Sequence, residues 1–200
     1  MDQQALSGIN IAILVTDGFE QIEFTDPRQA LEQQGAITKV ISSKHGKVQG
    51  FHHDTKADQF DVDLSFQEAD SKAFDAVLLP GGVMNGDQIR IVPDAQRFVQ
   101  EMDEDGKMIA AICHGGWLLV SAGLVKDRTM TSWPTLQDDI RNAGGKWLDQ
   151  EVVVDGNLVT SRKPGDIPAF NQKMIDTLSQ RMTESARKSR SEQAGIGISG

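Results

Sequence analysis

The segment Met108–Ile112 is apolar at every position and runs directly into Cys113. A short run without a polar face is typical of a central strand in a parallel sheet, because helices cover both faces of such a sheet. A second, almost wholly apolar stretch starts at His114 and predicts a buried helix. A buried strand followed at once by a buried helix points to the α/β class.

The rest of the chain repeats this alternation. Apolar runs at residues 9–15, 37–42 and 75–79 predict three further strands, with helical spacing between them. Right-handed crossovers would join these strands into a mainly parallel sheet with helices on both faces. The sequence Asp-Gly-Asn at 155–157 predicts a late hairpin, and hence an antiparallel strand at the edge of the sheet.

The domain organisation follows from the same pattern. Residues 1–8 form a polar leader, and residues 9–182 carry the alternating pattern of one α/β domain. Within that domain, residues 44–70 are polar and irregular, and glycine turn signals predict a hairpin excursion there. Residues 183–200 lack apolar periodicity, so we expect a flexible tail.

Composition narrows the class of protein further. The 200 residues carry a net charge of −9, which disfavours binding to nucleic acid or to acidic membranes. The single cysteine cannot form an internal disulfide. The first residues lack the basic and apolar regions of a signal peptide, and no apolar run reaches the length of a membrane span. These features predict a soluble, cytoplasmic protein.

Cys113 is the strongest candidate for chemistry. It lies between a buried strand and a helix, with Ala111 two residues before it and Gly115 two residues after it. This is the nucleophile-elbow pattern with cysteine in place of serine, and the small flanks suit its tight, strained turn. A helix N-terminus beneath the thiol would lower its pKa and make it reactive. The alternative is an inert, buried cysteine that packs as a small apolar residue.

The motifs around Cys113 give the chain a wider resemblance. Its sequence resembles the ThiJ/PfpI family of the class I glutamine amidotransferase-like superfamily, over about residues 9–178. The resemblance rests on motifs that occur in the family's order: Asp-Gly-Phe-Glu-Gln-Ile-Glu at 17–23, Leu-Leu-Pro-Gly-Gly at 78–82, Ala-Ile-Cys-His-Gly at 111–115 and Thr-Ser-Trp-Pro at 131–134. It implies a flavodoxin-like three-layer sandwich.

The resemblance also implies roles for individual residues. Glu20 matches the family's glutamate that hydrogen-bonds the cysteine sulfur, with Glu23 as the weaker candidate, and its alternative role is a first-turn acid of a helix. His114 matches the general base. Asp87 matches the acid that orients it, in some relatives from a neighbouring subunit, although Asp87 would also suit a helix N-cap.

Backbone groups complete the implied site. The amides of Gly81 or Gly82 and of His114 would form an oxyanion hole. The two glycines would equally suit a plain strand-end turn.

The sequence excludes a glutaminase and disfavours a metal site. A glutaminase of this superfamily needs a histidine downstream of its cysteine, and none follows His114. The run His52-His53-Asp54 is a poor metal site, because adjacent side chains on an extended chain point to opposite faces. We therefore expect no metal and no cofactor.

The favoured function is a cysteine-dependent hydrolase of the PfpI type in stress protection. Its substrate would be a small carbonyl compound, a glycated protein or a peptide, and its activity that of a deglycase, a glyoxalase or a peptidase. The alternative is a redox sensor or chaperone-like stress protein in which Cys113 is oxidised without turnover. A homodimer or larger homo-oligomer is expected in either case.

Overall fold

The computed structural model describes the backbone of residues 4–196 and the side chains of residues 4–184. Its largest sheet has seven strands, which are parallel except at one edge. Its strands are β1 (Asn10–Leu14), β3 (Ile37–Ser42), β6 (Leu64–Ser65), β7 (Ala76–Leu79), β8 (Met108–Ile112), β11 (Val152–Asp155) and β12 (Leu158–Ser161). In space they follow the order β11-β12-β8-β7-β1-β3-β6.

Over residues 4–196, two smaller sheets and six α-helices surround it. The short strands are β2 (Phe19–Glu20), β4 (Lys47–His52), β5 (Thr55–Asp61), β9 (Thr129–Met130) and β10 (Lys146–Trp147). The helices are α1 (Gln21–Gln33), α2 (Val83–Ile89), α3 (Pro93–Glu104), α4 (Gly116–Ser121), α5 (Gln137–Asn142) and α6 (Ile167–Ile196). The described residues contain no helix that is both long and apolar enough to cross a bilayer.

Each face of the sheet has its own core. Along β1, Ala12 and Leu14 pack into a cluster with α3, α4 and α5, whereas Ile11 and Ile13 pack into a second cluster with α1 and α6. This alternation follows from the twofold period of a strand. The expected α/β three-layer sandwich with a mainly parallel sheet is therefore confirmed.

Both predicted hairpins are present. β4 and β5 pair antiparallel within the excursion at 44–70, and β11 pairs antiparallel with β12 at the sheet edge. The two ends of the chain differ from expectation. Leu6 in the leader is fully buried, and α6 continues to Ile196 through the segment expected to be a tail. Residues 1–3 and 197–200 lie outside the described part.

The order of the strands positions the site. β7 and β8 are neighbours at the centre of the sheet, and β1 lies on the other side of β7. The loops that leave the carboxyl ends of these strands therefore meet at one edge of the sheet, where open α/β folds place their ligands.

Candidate active site

Cys113 lies on a strained turn at the end of β8. Its φ is +59°, a left-handed conformation that is uncommon for a residue with a side chain. A Cβ at Gly115 would overlap the carbonyl oxygen of Leu79, and a Cβ at Gly81 would lie 2.6 Å from Cys113 Cβ. The elbow predicted from sequence is thus present, and it needs glycine where β7 and β8 come together.

Glu23 is the carboxyl group against the sulfur. It is fully buried in the first turn of α1, and it interacts directly with the Cys113 side chain. Its Oε2 accepts the Gly81 N–H at 3.0 Å. Among the described residues, its Oε1 is buried without a hydrogen-bond partner.

The sequence assigned this position to Glu20, and the structure places Glu20 elsewhere. Glu20 ends β2, and its Oε2 accepts the backbone N–H of His53 at 3.0 Å. Glu23 instead shares a helix stripe with the buried residues Phe24, Pro27 and Leu31. An acid within that apolar stripe was the signal for a buried carboxyl group, and the motif match alone did not reveal it.

Burial dominates the titration of Glu23. It raises the pKa of Glu23 to about 8, and the nearby charge of Glu20 raises it further, while Cys113 and the Gly81 amide oppose the shift. Glu23 therefore keeps its proton at neutral pH. A protonated carboxyl group also costs less to bury than a carboxylate, because no charge is taken out of water.

Opposing effects act on the Cys113 thiol. Burial and an ionised Glu23 raise the pKa of the thiol well above its ordinary value, although the amides of Gly82 and His114 lower it in part. A protonated Glu23 removes the second of these raising causes. The helix beneath it is only six residues long. The helix dipole, on which the sequence-based expectation rested, is therefore the weaker influence, and hydrogen bonds to the sulfur matter more.

His114 lies beside the thiol. Its Nδ1 is 3.2 Å from Cys113 Sγ, and its ring lies between Trp117 and Trp133, with centroids 5.0 and 5.9 Å away. Burial lowers the pKa of His114 to about 4. The imidazole is therefore neutral at physiological pH and able to accept a proton.

The backbone donors divide between two acceptors. The N–H groups of Gly82 and His114 lower the pKa of the Cys113 thiol. The N–H of Gly81 is already donated to Glu23, so Gly81 does not serve as the oxyanion donor that the sequence suggested. Asn85, which sequence reasoning missed, fixes this turn by donating to the carbonyls of Pro80 and Gly81.

Within one chain, no hydrogen bond or ion pair among the described residues joins Asp87 to His114. Asp87 lies exposed on α2. The preceding Gly86 is the residue that packs on His114, since a Cβ there would lie 3.1 Å from His114 Cβ. The Asp87 carboxylate has no hydrogen bond or ion pair to any described residue.

A cavity of about 670 Å³ opens over Cys113. Its walls include Trp117, Trp133 and Met84, and Glu20, Glu23 and Asp54 supply carboxyl groups. No group of three or more His, Cys, Asp or Glu side chains within the described residues is arranged to hold a metal ion.

Fold and site together define an α/β protein with a cysteine on a strained strand-to-helix elbow. The DJ-1/PfpI family model matches residues 9–177, so the chain belongs to that family, as its motifs suggested. A deglycase from Thermococcus kodakarensis is 42% identical over 170 residues, which cover 85% of this chain and 99% of that protein. The Escherichia coli protein/nucleic acid deglycase 2 is 39% identical, with coverage of 84% and 96%.

A solved structure agrees. The two-domain protein from Anabaena variabilis, with DJ-1/ThiJ/PfpI-like and ferritin-like domains, superposes with a TM-score of 0.80 at 37% identity. The match covers 85% of this chain and 48% of that one. The expected hydrolase-type enzyme is confirmed at the level of class by the family and its curated relatives.

Proposed function

We propose that this protein is a cysteine-dependent hydrolase that removes carbonyl adducts from amines, as a deglycase does, with Cys113 as its nucleophile. The observation that supports this most strongly is an imidazole 3.2 Å from the sulfur of a cysteine on a strained elbow, with a buried carboxyl group and two backbone amides that influence its pKa. A buried cysteine with only a packing role needs none of these groups.

The charge of the Glu23–Cys113 pair follows from counting donors. Two backbone amides, those of Gly82 and His114, favour the charged form of the sulfur. The Glu23 carboxyl group receives one backbone amide, that of Gly81. When the pair holds one proton, that proton belongs on Glu23 and the negative charge on Cys113, because hydrogen bonds stabilise the charged form that receives more of them.

The chemistry then runs through residues of this site. Cys113 Sγ attacks the carbonyl carbon and forms a C–S bond, and the π electrons move to the oxygen. The amides of Gly82 and His114 stabilise that oxyanion by turning from the sulfur to the oxygen as charge moves. The oxyanion then re-forms the C=O bond, the C–N bond to the amine breaks, and the leaving nitrogen takes a proton that His114 relays from a water molecule. The hydroxide left by that water attacks the same carbon, and the C–S bond breaks with return of its electrons to the sulfur as thiolate.

A side-by-side comparison of wild type and Cys113→Ser tests this function. The substrates are a methylglyoxal adduct, a glycated peptide and a fluorogenic peptide. We expect the variant to lose at least about 10³-fold in turnover on one of them while keeping its fold. Mass spectrometry of Cys113 provides the control. Oxidation of Cys113 without turnover of any substrate would contradict the proposal and favour a redox sensor.

We propose in addition a homodimer in which Asp87 of one protomer orients His114 of the other. Asp87 is exposed on α2, and Val83 and Met84 on the same helix are exposed apolar residues. An interface over this helix would cover them and bring the unpaired carboxylate to a neighbouring site.

The Asp87→Ala variant tests the arrangement. Turnover should fall about 10²-fold with a changed pH profile, while alkylation of Cys113 is unaffected, because only the orientation of the general base is lost. Asp138→Ala, at an exposed acid of α5, is the matched control. A monomer by light scattering, with full activity in Asp87→Ala, would show that Asp87 is the wrong acid.

A further inference from the structure

A second cavity of about 300 Å³ adjoins the site over Cys113. Gly18 and Met84 line both cavities. A Cβ at Gly18 would lie only 2.5 Å from Met84 Cβ, so these two residues form a closely packed ridge between the compartments. A ligand that crosses this ridge would occupy both compartments.

The second compartment is formed by the outer face of the β4–β5 hairpin. Lys47, Gln49 and Phe51 alternate along β4 and face this cavity, while Val48 between them is buried in the core. Across the hairpin, Lys56 pairs in register with Phe51. The twofold period of the strand thus gathers polar and cationic side chains on one side.

The two compartments differ in charge. The cavity over Cys113 has three carboxyl groups and, among the described residues, neither lysine nor arginine in its wall. The second cavity is lined by Lys44, Lys47 and Lys56, with Asp17 as its only acid among the described lining residues. Such a cluster of lysines stands out in a chain of net charge −9.

Two of the three lysines form ion pairs with described residues, and the third does not. Lys44 Nζ lies 2.5 Å from Asp17, and Lys47 Nζ lies 2.7 Å from Asp61. Lys56 has no ion pair with any described residue. The described residues therefore leave the ammonium group of Lys56 uncompensated, and the side chains of Gln59 and Gln88 add amide donors to the wall of the compartment.

We propose that this second compartment binds an anionic group, a carboxylate or a phosphate, of a substrate whose carbonyl adduct lies over Cys113. The inference rests on the proposed function and specifies its substrate class. Adducts that carry an anionic group one ridge away from the reacting carbon are preferred over their neutral counterparts, because the lysines lower KM without touching the reacting atoms.

The test uses two substrates that differ in one group: the methylglyoxal adducts of N-acetylarginine, which has a free carboxylate, and of N-acetylarginine amide. We expect wild type to show a lower KM for the carboxylate. In Lys56→Gln the preference in kcat/KM should fall about threefold, and in the triple variant Lys44→Gln/Lys47→Gln/Lys56→Gln about tenfold, as partly exposed charge pairs allow. The rate on the amide should change by less than about twofold.

A control and a competition experiment complete the test. Lys72→Gln removes an exposed lysine that precedes β7, at the opposite end of the sheet, and should leave the preference unchanged. Inorganic phosphate and acetate, as competitors, distinguish a phosphate site from a carboxylate site. An unchanged preference in the triple variant, or an equal loss in Lys72→Gln, would overturn the proposal. Turnover of the amide that is lost in Cys113→Ser would still support the hydrolase function.

Discussion

The two ends of β8 are built in opposite ways. At its carboxyl end, Cys113 has a left-handed backbone, and one oxygen of Glu23 has no hydrogen-bond partner among the described residues. At its amino end, the side chain of Asn157 donates to Asp103 Oδ1 at 2.8 Å and to the Lys107 carbonyl at 3.0 Å, and accepts from Arg128 at 2.8 Å. One end stores strain and unmet hydrogen bonding, and the other satisfies its polar groups.

This difference shows where the fold tolerates features that lower its stability. Strained backbone and buried titratable groups persist only where surrounding structure over-determines them, and they concentrate at functional sites. The satisfied network at the amino end helps to hold β8 and β12 in register. The two ends should therefore respond differently to the same small substitutions.

The largest contrast is expected from adding one methyl group at each end. Gly115→Ala places a Cβ against the carbonyl oxygen of Leu79, where the backbone cannot yield. A Cβ at Gly106 would meet no atom within 4 Å, so Gly106→Ala loses stability only because of the φ of +64° at this position. We expect losses in unfolding free energy of about 3 kcal/mol for Gly115→Ala and about 1 kcal/mol for Gly106→Ala.

Denaturant unfolding followed by circular dichroism measures both values. Turnover gives a second readout, because the elbow should distort in Gly115→Ala and remain intact in Gly106→Ala. Equal losses of stability at the two positions would mean that the carboxyl end is no more tightly constrained than the amino end.

Sequence patterns predicted the features that depend on local order. The apolar run of β8, the hairpin at 155–157 and the elbow at Cys113 are each specified by neighbouring residues, and the structure contains all three. The choice between Glu20 and Glu23 depends on which side chain of a helix start faces the sheet. That is a tertiary property, and a motif match could not decide it.

The helical backbone at the end of the chain was not predicted, for another reason. Residues 183–196 lack an apolar stripe, yet they continue a helix whose earlier turns bury Phe170, Met174 and Leu178. Extending an existing helix is far easier than nucleating one, and the Ala, Arg, Lys, Glu and Gln residues of this segment favour helix. Periodicity detects packing, and this segment does not require packing to be helical.

A smaller effect is expected from pH. Unfolded His114 takes up a proton near its ordinary pKa of 6.5, whereas folded His114 does so only near 4. The unfolded state therefore binds more protons in this interval, and the free energy of unfolding falls as pH falls. With its proposed charge distribution, the Glu23–Cys113 pair holds one proton in the folded state and one in the unfolded state over this pH interval. The pair therefore does not contribute to the pH dependence of the free energy of unfolding.

We expect the loss attributable to His114 to be about 1.5 kcal/mol between about pH 7 and pH 5, below the full shift because the imidazole lines an open cavity. His114→Gln should lack this part of the pH dependence. His45→Gln, which removes a solvent-exposed histidine, should retain it. The same slope in wild type and His114→Gln would show that the histidine is not held neutral by burial.

The central claim is that Cys113 carries the negative charge and Glu23 the proton. The chain has one cysteine, so its rate of alkylation by iodoacetamide reports this sulfur alone. We expect a midpoint of the rate–pH profile below the value of about 8.5 for a free thiol. Glu23→Ala should move the midpoint upward, and Glu20→Gln should move it much less. A wild-type midpoint at or above that of a free thiol would contradict the account.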